Sequence, residues 1–341
     1  MVRVAPGKHH PAVPVLPAEA VVLGEAVVDL FPEEPGGTLE EADRLVRHLG
    51  GAGANLAVGL ARQGVPAALV GLVGADAFGR FVRRALEAES VATDGLGVHR
   101  SARTGVCFAS PGSRGERGFL CYRQPSADQL VSAADFAPAH ISRGRLLCLG
   151  SATQVLAPAR AATERALEIA RGAQQLVFCD LNFRPHQFQD PHEALPLLRR
   201  LVARADVVKL SRDELLPLFG TDSPSEAAAR ARRLGPDVVV VTLGEAGCYA
   251  DGPEGTVHVV AERLQAPLLD RTGAGDAFSA GFLAELLGAL GPRSQGGAKE
   301  RLRALPLQVL KRACVRGNWL GALCCTRVGA TAGVPRADGV R

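Results

Sequence analysis

The stretch Asp270-Arg271-Thr272-Gly273-Ala274-Gly275-Asp276-Ala277-Phe278 concentrates the residue types that could do chemistry. Two glycines flank an alanine, and an aspartate follows where a long helical pattern opens. Small residues let a backbone approach a ligand closely. Free N–H groups and the positive end of a helix dipole attract an anion. An aspartate at such a place repels phosphate, which makes sense if it is a base. Asp276 would take a proton from an alcohol while the amides hold a phosphoryl group in transfer. The plainer alternative is an aspartate capping a helix after a glycine turn.

Other polar or glycine-rich turns follow apolar runs. Gly50-Gly51-Ala52-Gly53-Ala54-Asn55 leads into a helix and reads equally as a simple turn. Asp180-Leu181-Asn182-Phe183-Arg184 follows a strand, and its polar residues alternate, so they share one direction if the segment is extended; an Asx-type turn is the alternative. In Lys209-Leu210-Ser211-Arg212-Asp213-Glu214, Ser211 and Glu214 have capping-box spacing. Thr242-Leu243-Gly244-Glu245-Ala246-Gly247 joins two strands, and Asp29 lies just beyond the first strand. There is no GxGxxG and no GxxxxGK[ST], so a dinucleotide fingerprint or a P-loop has little support.

The elements that must hold these turns are legible from periodicity. Strands are expected at 21–23, 67–73, 145–150, 175–180, 206–210, 237–242 and 246–250. Helices are expected at 54–63, 78–88, 158–171, 192–203, 212–219, 224–234, 275–290 and 301–326. Runs such as Val238-Val239-Val240-Val241 are apolar throughout, as parallel strands covered on both faces are. Strands alternating with helices give an α/β/α three-layer fold with a mainly parallel sheet. A hairpin at 105–122 and the segment 28–48 fall outside the alternation and predict a small separate β-structure. The turns then gather at the carboxyl edge of the sheet, where such sheets bind ligands.

At this point the sequence resembles the ribokinase-like, or PfkB, carbohydrate kinases over roughly residues 20–335. Gly50–Asn55 with Leu56-Ala57-Val58-Gly59-Leu60-Ala61 is similar to the first family signature, and Asp270–Phe278, about 220 residues further on, to the second. Phe119-Leu120-Cys121-Tyr122-Arg123-Gln124-Pro125-Ser126-Ala127-Asp128 and Gly24-Glu25 are similar to the fructokinase branch, with 2-keto-3-deoxygluconate kinases as the rival. The resemblance implies a large α/β/α domain with a small β-sheet lid, from about 28–48 and 100–125. It implies transfer of phosphate from ATP to the primary hydroxyl of a hexose, D-fructose before others, with Mg²⁺ and K⁺ as ions.

The same resemblance implies Asp276 as base and Gly273, Ala274 and Gly275 as anion hole. It implies Asp29, Gly51, Asn55, Arg123 and Arg184 as sugar or transferring-phosphate contacts. Ser211, Thr242, Gly244, Gly247 and Asn318 would border the nucleotide. Glu214 would organise Mg²⁺ through water, and Asp270, Thr272 and Gly329 would contribute to a monovalent-cation loop. Arg271 stands where relatives carry a small Thr or Ser, and is expected to crowd that loop or add positive charge near phosphate. Ser211 stands where many carry Asn. Another sugar or nucleoside kinase of the family is the alternative of the same class; a non-catalytic sugar-binding regulator is the alternative of another class.

The composition agrees. The chain has 341 residues, 47% hydrophobic and 22% charged, which excludes disorder as the main state. A net charge of +4 gives no footprint for nucleic acid. No stretch is apolar enough to span a membrane, and residues 1–19 read as a flexible leader rather than a signal peptide, so a cytoplasmic location is expected. Residues 336–341 read as a tail. The eight cysteines include no CxxC pair and several lie in apolar runs, so buried reduced thiols are expected. The resemblance adds a homodimer formed through the lid at 100–125.

Overall fold

Neighbouring valines of one strand show how the layers arise. Val238 and Val240 pack into one core, and Val239 and Val241 into the other. The strand is therefore covered on both faces, as an apolar parallel strand must be. The computed structural model describes residues 15–34, 37–111, 117–123, 125–262 and 264–337. Most of the expected leader, the middle of the hairpin turn and the end of the expected tail lie outside these residues.

The strands, in chain order, are β1 (Ala20–Leu23), β2 (Val27–Pro32), β3 (Leu45–Gly50), β4 (Ala67–Gly74), β5 (Leu96–His99), β6 (Val106–Pro111), β7 (Arg117–Tyr122), β8 (Leu146–Gly150), β9 (Leu176–Asp180), β10 (Val207–Ser211), β11 (Val238–Thr242), β12 (Cys248–Gly252) and β13 (Gly255–Val259). Nine form one sheet in the order β13-β12-β11-β10-β9-β8-β1-β4-β5. It is parallel from β11 to β5 and ends in the antiparallel β12 and β13. The chain leaves β1 toward β4 on one side and returns to β8 on the other. That reversal opens a crevice at the carboxyl edge.

Helices Ala52–Arg62, Ala274–Leu290 and Leu307–Cys324 pack on one face. Ala157–Gly172, Pro191–Val202 and Arg212–Phe219 pack on the other. The expected helix at 301–326 is two, Ala298–Arg303 and Leu307–Cys324, because Pro306 has no N–H to continue the ladder and caps the second. Strands β5 and β13 are additional to the expected set. Among the described residues no helix is long and apolar enough to cross a membrane.

The remaining four strands form a second sheet, β3-β2-β6-β7. Its register sets Asp29 opposite both His48 and Cys107, and Cys107 opposite Cys121. Paired residues share a face, so these four side chains lie on one side of the sheet. Cys107 and Cys121 form a disulfide there. This corrects the expectation of eight reduced thiols; the register, which composition cannot show, brings the two together. The other six cysteines are free, five of them buried. Alkylation of the denatured, unreduced protein is expected to add six adducts by mass, and eight after reduction. Eight adducts before reduction would show that the pair is open.

Candidate active site

Gly24 and Glu25 after β1, Asp180 at the end of β9, Ser211 at the end of β10 and Thr242 at the end of β11 occupy one edge of the large sheet. The Ala274–Leu290 helix points its N-terminus at that edge. Gly273, in the left-handed region at φ 77°, is its N-cap, and Ala274 and Gly275 form its first turn. The plainer reading of Asp276 as the cap is therefore corrected, since Asp276 stands inside the first turn and its carboxylate bonds elsewhere. Asp276 Oδ2 accepts from Asn55 Nδ2 at 2.8 Å, from the Ala52–Arg62 helix.

This carboxyl is buried. Burial, then the Asp180 carboxylate, pushes it up from 3.8 to about 7, against the Asn55 hydrogen bond and Lys209. A base with that affinity for protons is matched to neutral pH. The amide oxygen of Asn55, Oδ1, is buried without a protein partner among the described residues. An orphaned acceptor beside a base wants a donor such as a hydroxyl. Asp29 is also buried; desolvation raises it to about 7, helped by Asp270 and Glu25 and opposed by Arg123. Gly51 caps the Asn55 helix, and the Ala52 N–H donates to Glu25 Oε1 at 3.0 Å, tying that helix to the β1 edge.

Arg123 is buried and paired with Asp128, whose other oxygen accepts from Ser126 Oγ at 2.6 Å. Arg184 is exposed, next to His186, whose affinity for a proton falls through burial and then through Arg184 and Arg123. The segment carrying Arg184 is not extended. Asn182 has φ 42°, so Asp180, Asn182 and Arg184 do not share a direction. Asn tolerates that left-handed conformation.

Glu214 realises the capping-box alternative. Its Oε2 accepts from the Ser211 N–H at 2.5 Å and hydroxyl at 2.8 Å, and its Oε1 accepts from the Phe183 N–H at 2.5 Å. It thereby clamps the loop after β9 to the start of the Arg212–Phe219 helix. Among the described residues no cluster of three acidic, His or Cys side chains could hold a metal ion alone. A divalent ion at this site would be held chiefly by phosphate oxygens and water, as Mg²⁺ usually is. Asp270, Thr272 and Gly329 converge as expected in space: Asp270 Oδ1 accepts from the Thr272 N–H and hydroxyl at 3.0 and 2.7 Å, and Oδ2 from the Gly329 N–H at 2.9 Å. Arg271 does not crowd this loop, because it turns outward to an exposed pair with Glu245 at 2.6 Å.

A cavity of about 400 Å³ opens beside the loop, lined by Thr242, Gly244, Gly247, Gly275 and Asn318, with Arg271 at its rim. Its size suits a nucleotide-sized ligand. Asn318 Nδ2 donates to the Val259 and Val260 carbonyls at 3.0 and 3.2 Å, fixing the wall. Thr242 Oγ1 donates to the Leu210 carbonyl at 3.2 Å, and Ser211 is held by Glu214. Glu25, Asp180 and Lys209 stand in the candidate turns and motifs without a role of their own in the sequence analysis, and Ser279 and His186 are additional to it. The signal for two of them is present: Lys209 is a charge in the middle, and Asp180 a charge at the end, of otherwise apolar buried strands.

The family model described as pfkB family carbohydrate kinase matches residues 17–337. A fructokinase of Klebsiella pneumoniae is 37% identical over 319 residues, covering 93% of this chain and 96% of that one. A crystal structure of fructokinase from Vibrio cholerae O395, in fructose, ADP and calcium ion bound form, is 32% identical with a TM-score of 0.79, covering 93% of this chain and 96% of that one. Aminoimidazole riboside kinase from Salmonella enterica, complexed with aminoimidazole riboside and an ATP analog, is 29% identical with a TM-score of 0.78, covering 94% of this chain and 98% of that one.

Proposed function

The chain belongs to the pfkB family of carbohydrate kinases and is a sugar kinase, and from that premise we propose that it phosphorylates the primary hydroxyl of D-fructose with ATP, giving fructose 6-phosphate. The observation that carries the reading is the Asp276–Asn55 pair: a buried carboxyl raised to about 7, hydrogen-bonded at 2.8 Å to an amide whose own oxygen is left for a hydroxyl. Asp276 removes the proton of the sugar hydroxyl. The oxygen attacks the γ-phosphorus in line, the bond to the β-phosphate oxygen breaks, and ADP leaves. The proton stays on Asp276 until it passes to water. The N–H groups of Gly273, Ala274, Gly275 and Asp276 receive the charge that develops on the transferring group.

Asp29, Gly51 and Asn55 hold the sugar, Arg123 fixes the lid end of its pocket, and Arg184 contacts the sugar or the transferring phosphate. The small sheet is the lid. Thr242, Gly244, Gly247 and Asn318 border the nucleotide, with Ser211 and Glu214 at its phosphate end. Glu214 would reach Mg²⁺ through water if the ion entered with ATP, and the ion would supply neutralising charge for the phosphate oxygens. Asp270, Thr272 and Gly329 are the place for K⁺. ATP as donor fits a cytoplasmic enzyme. A homodimer would form on the outward lid face, where Leu120 and Tyr122 are 53% and 66% exposed.

The acid-sugar rival meets a specific obstacle. A 2-keto-3-deoxygluconate kinase needs a free cation for the substrate carboxylate. Arg123 is already paired with Asp128 and also faces Glu25 and Asp29. A pocket with that many carboxylates favours a neutral polyol. ADP production is the test, with ATP, Mg²⁺ and K⁺ against fructose, glucose, ribose, 2-keto-3-deoxygluconate, adenosine and aminoimidazole riboside. The expected result is the largest kcat/KM on fructose. Preference for the acid sugar or a nucleoside would transfer the assignment, and no turnover with sugar still bound would favour a regulator.

A further inference from the structure

A buried lysine in a β-strand is costly unless paired, and Lys209 of β10 is 4% exposed. Its ammonium lies 3.0 and 3.1 Å from the two carboxylate oxygens of Asp180, at the end of neighbouring β9. Ser279 Oγ, from the helix that carries Asp276, lies 3.0 Å from both Asp180 Oδ2 and the Gly275 carbonyl. A Cβ built on Gly275 would come within 2.9 Å of Lys209 Nζ. The first turn of the Ala274–Leu290 helix therefore rests on the ammonium, and a lysine–aspartate–serine chain ties that turn to two strands of the sheet.

We infer that Lys209 is a positioning residue for phosphoryl transfer: clamped by Asp180 beneath Gly275, it holds the anion-hole turn and the Asp276 carboxylate in their working arrangement. The inference rests on the reading of Asp276 as base. A fixed cation under the amides adds positive potential where charge develops, without reorganising during the reaction. The charged and titratable groups facing Asp276 are Asp180 from β9, Lys209 from β10, Glu25 after β1 and Cys324 from the C-terminal helix, with Asn55 as donor. Among them Lys209 and Asp180 act with opposite signs. Lys209 favours the ionised base and Asp180 disfavours it. A pair that merely fastened two strands would shift the same carboxyl through its charges but leave kcat at the parental value.

The test compares Lys209→Met, Asp180→Asn and the double variant, which buries no unpaired charge. In Lys209→Met, kcat is expected to fall about 10-fold or more while both KM values stay within about 3-fold. The acid limb of kcat/KM should move up by about one pH unit in Lys209→Met and down by about one in Asp180→Asn. In the double variant the limb returns toward the parent position and kcat stays low. The same opposite shifts are read without turnover, from the pH dependence of thermal unfolding of each variant against its counterpart carrying Asp276→Asn. That second readout survives if the parent phosphorylates none of the sugars, an outcome that overturns the assigned activity alone. Limbs and unfolding curves that stay in place or move in one direction, or a double variant with parental kcat, would falsify the positioning role.

Discussion

At pH 8 the Asp276→Asn protein is expected to turn over about 10²- to 10⁴-fold more slowly than the parent, the range general-base catalysis supplies, while gaining thermal stability. The two halves follow from one geometry. Asn keeps the shape of Asp276 and can still accept the Asn55 hydrogen bond through its amide oxygen, so the fold is left intact. It has no affinity for the proton of a hydroxyl at neutral pH, so the chemical step loses its acceptor. The gain in stability follows from linkage. Burial raises the native carboxyl from 3.8 to about 7. Its contribution is fully present below about pH 4, where both states are protonated, and is lost as pH rises through 7, because the native state must then give up a proton it holds tightly. Asn carries no charge at any pH and escapes that loss. The variant and parent are expected to melt together near pH 4, and the variant to melt higher at pH 8. A steady-state assay paired with thermal scans at both values checks this. Unchanged turnover would return Asp276 to a structural role at the helix start.

What was legible beforehand follows a physical division. Strands covered on both faces are largely apolar, so β8, β9, β10 and β11 announce themselves despite Lys209 in the middle of β10. The edge strand β13 alternates partly buried and exposed residues over only five positions and gives a weak signal. Glycine turns that open helices mark ligand loops because only small residues leave room there, which exposes Gly273–Gly275 and Gly51 at once. What stays hidden is whatever depends on which strands become neighbours. Lys209 and Asp180 are 29 positions apart and meet only because β9 and β10 pair. Cys107 and Cys121 meet only because the hairpin register sets them opposite each other. The shared direction of Asp180, Asn182 and Arg184 fails for a related reason: alternation implies one direction only for extended backbone, and one residue at φ 42° breaks it.

Gly273→Ala is expected to lower kcat about 10²- to 10³-fold, the cost of losing one well-placed donor to the developing charge, with a much smaller change in the KM for sugar. Position 273 sits at φ 77°, where a Cβ costs about 1–2 kcal/mol. Strain alone would leave the turn in place. The larger obstacle is that a Cβ there would lie 2.4 Å from the Ala330 carbonyl oxygen and 2.7 Å from its Cα, which are backbone atoms that cannot rotate aside. Ala330 follows Gly329, whose N–H is held by Asp270 at 2.9 Å. Relieving the clash must move either this tether or the anion-hole turn, and the proposed mechanism uses both, the first for K⁺ and the second for the transferring phosphate. The sugar contacts Asp29, Gly51 and Asn55 come from other elements, so sugar affinity is spared. Gly64 supplies the control. It has a similar φ of 80°, and a Cβ there meets nothing within 4 Å. Gly64→Ala carries the same strain without the collision and should lose stability but keep kcat. Equal losses of kcat in the two variants would mean that strain, and not displacement of the amides, is what the enzyme feels.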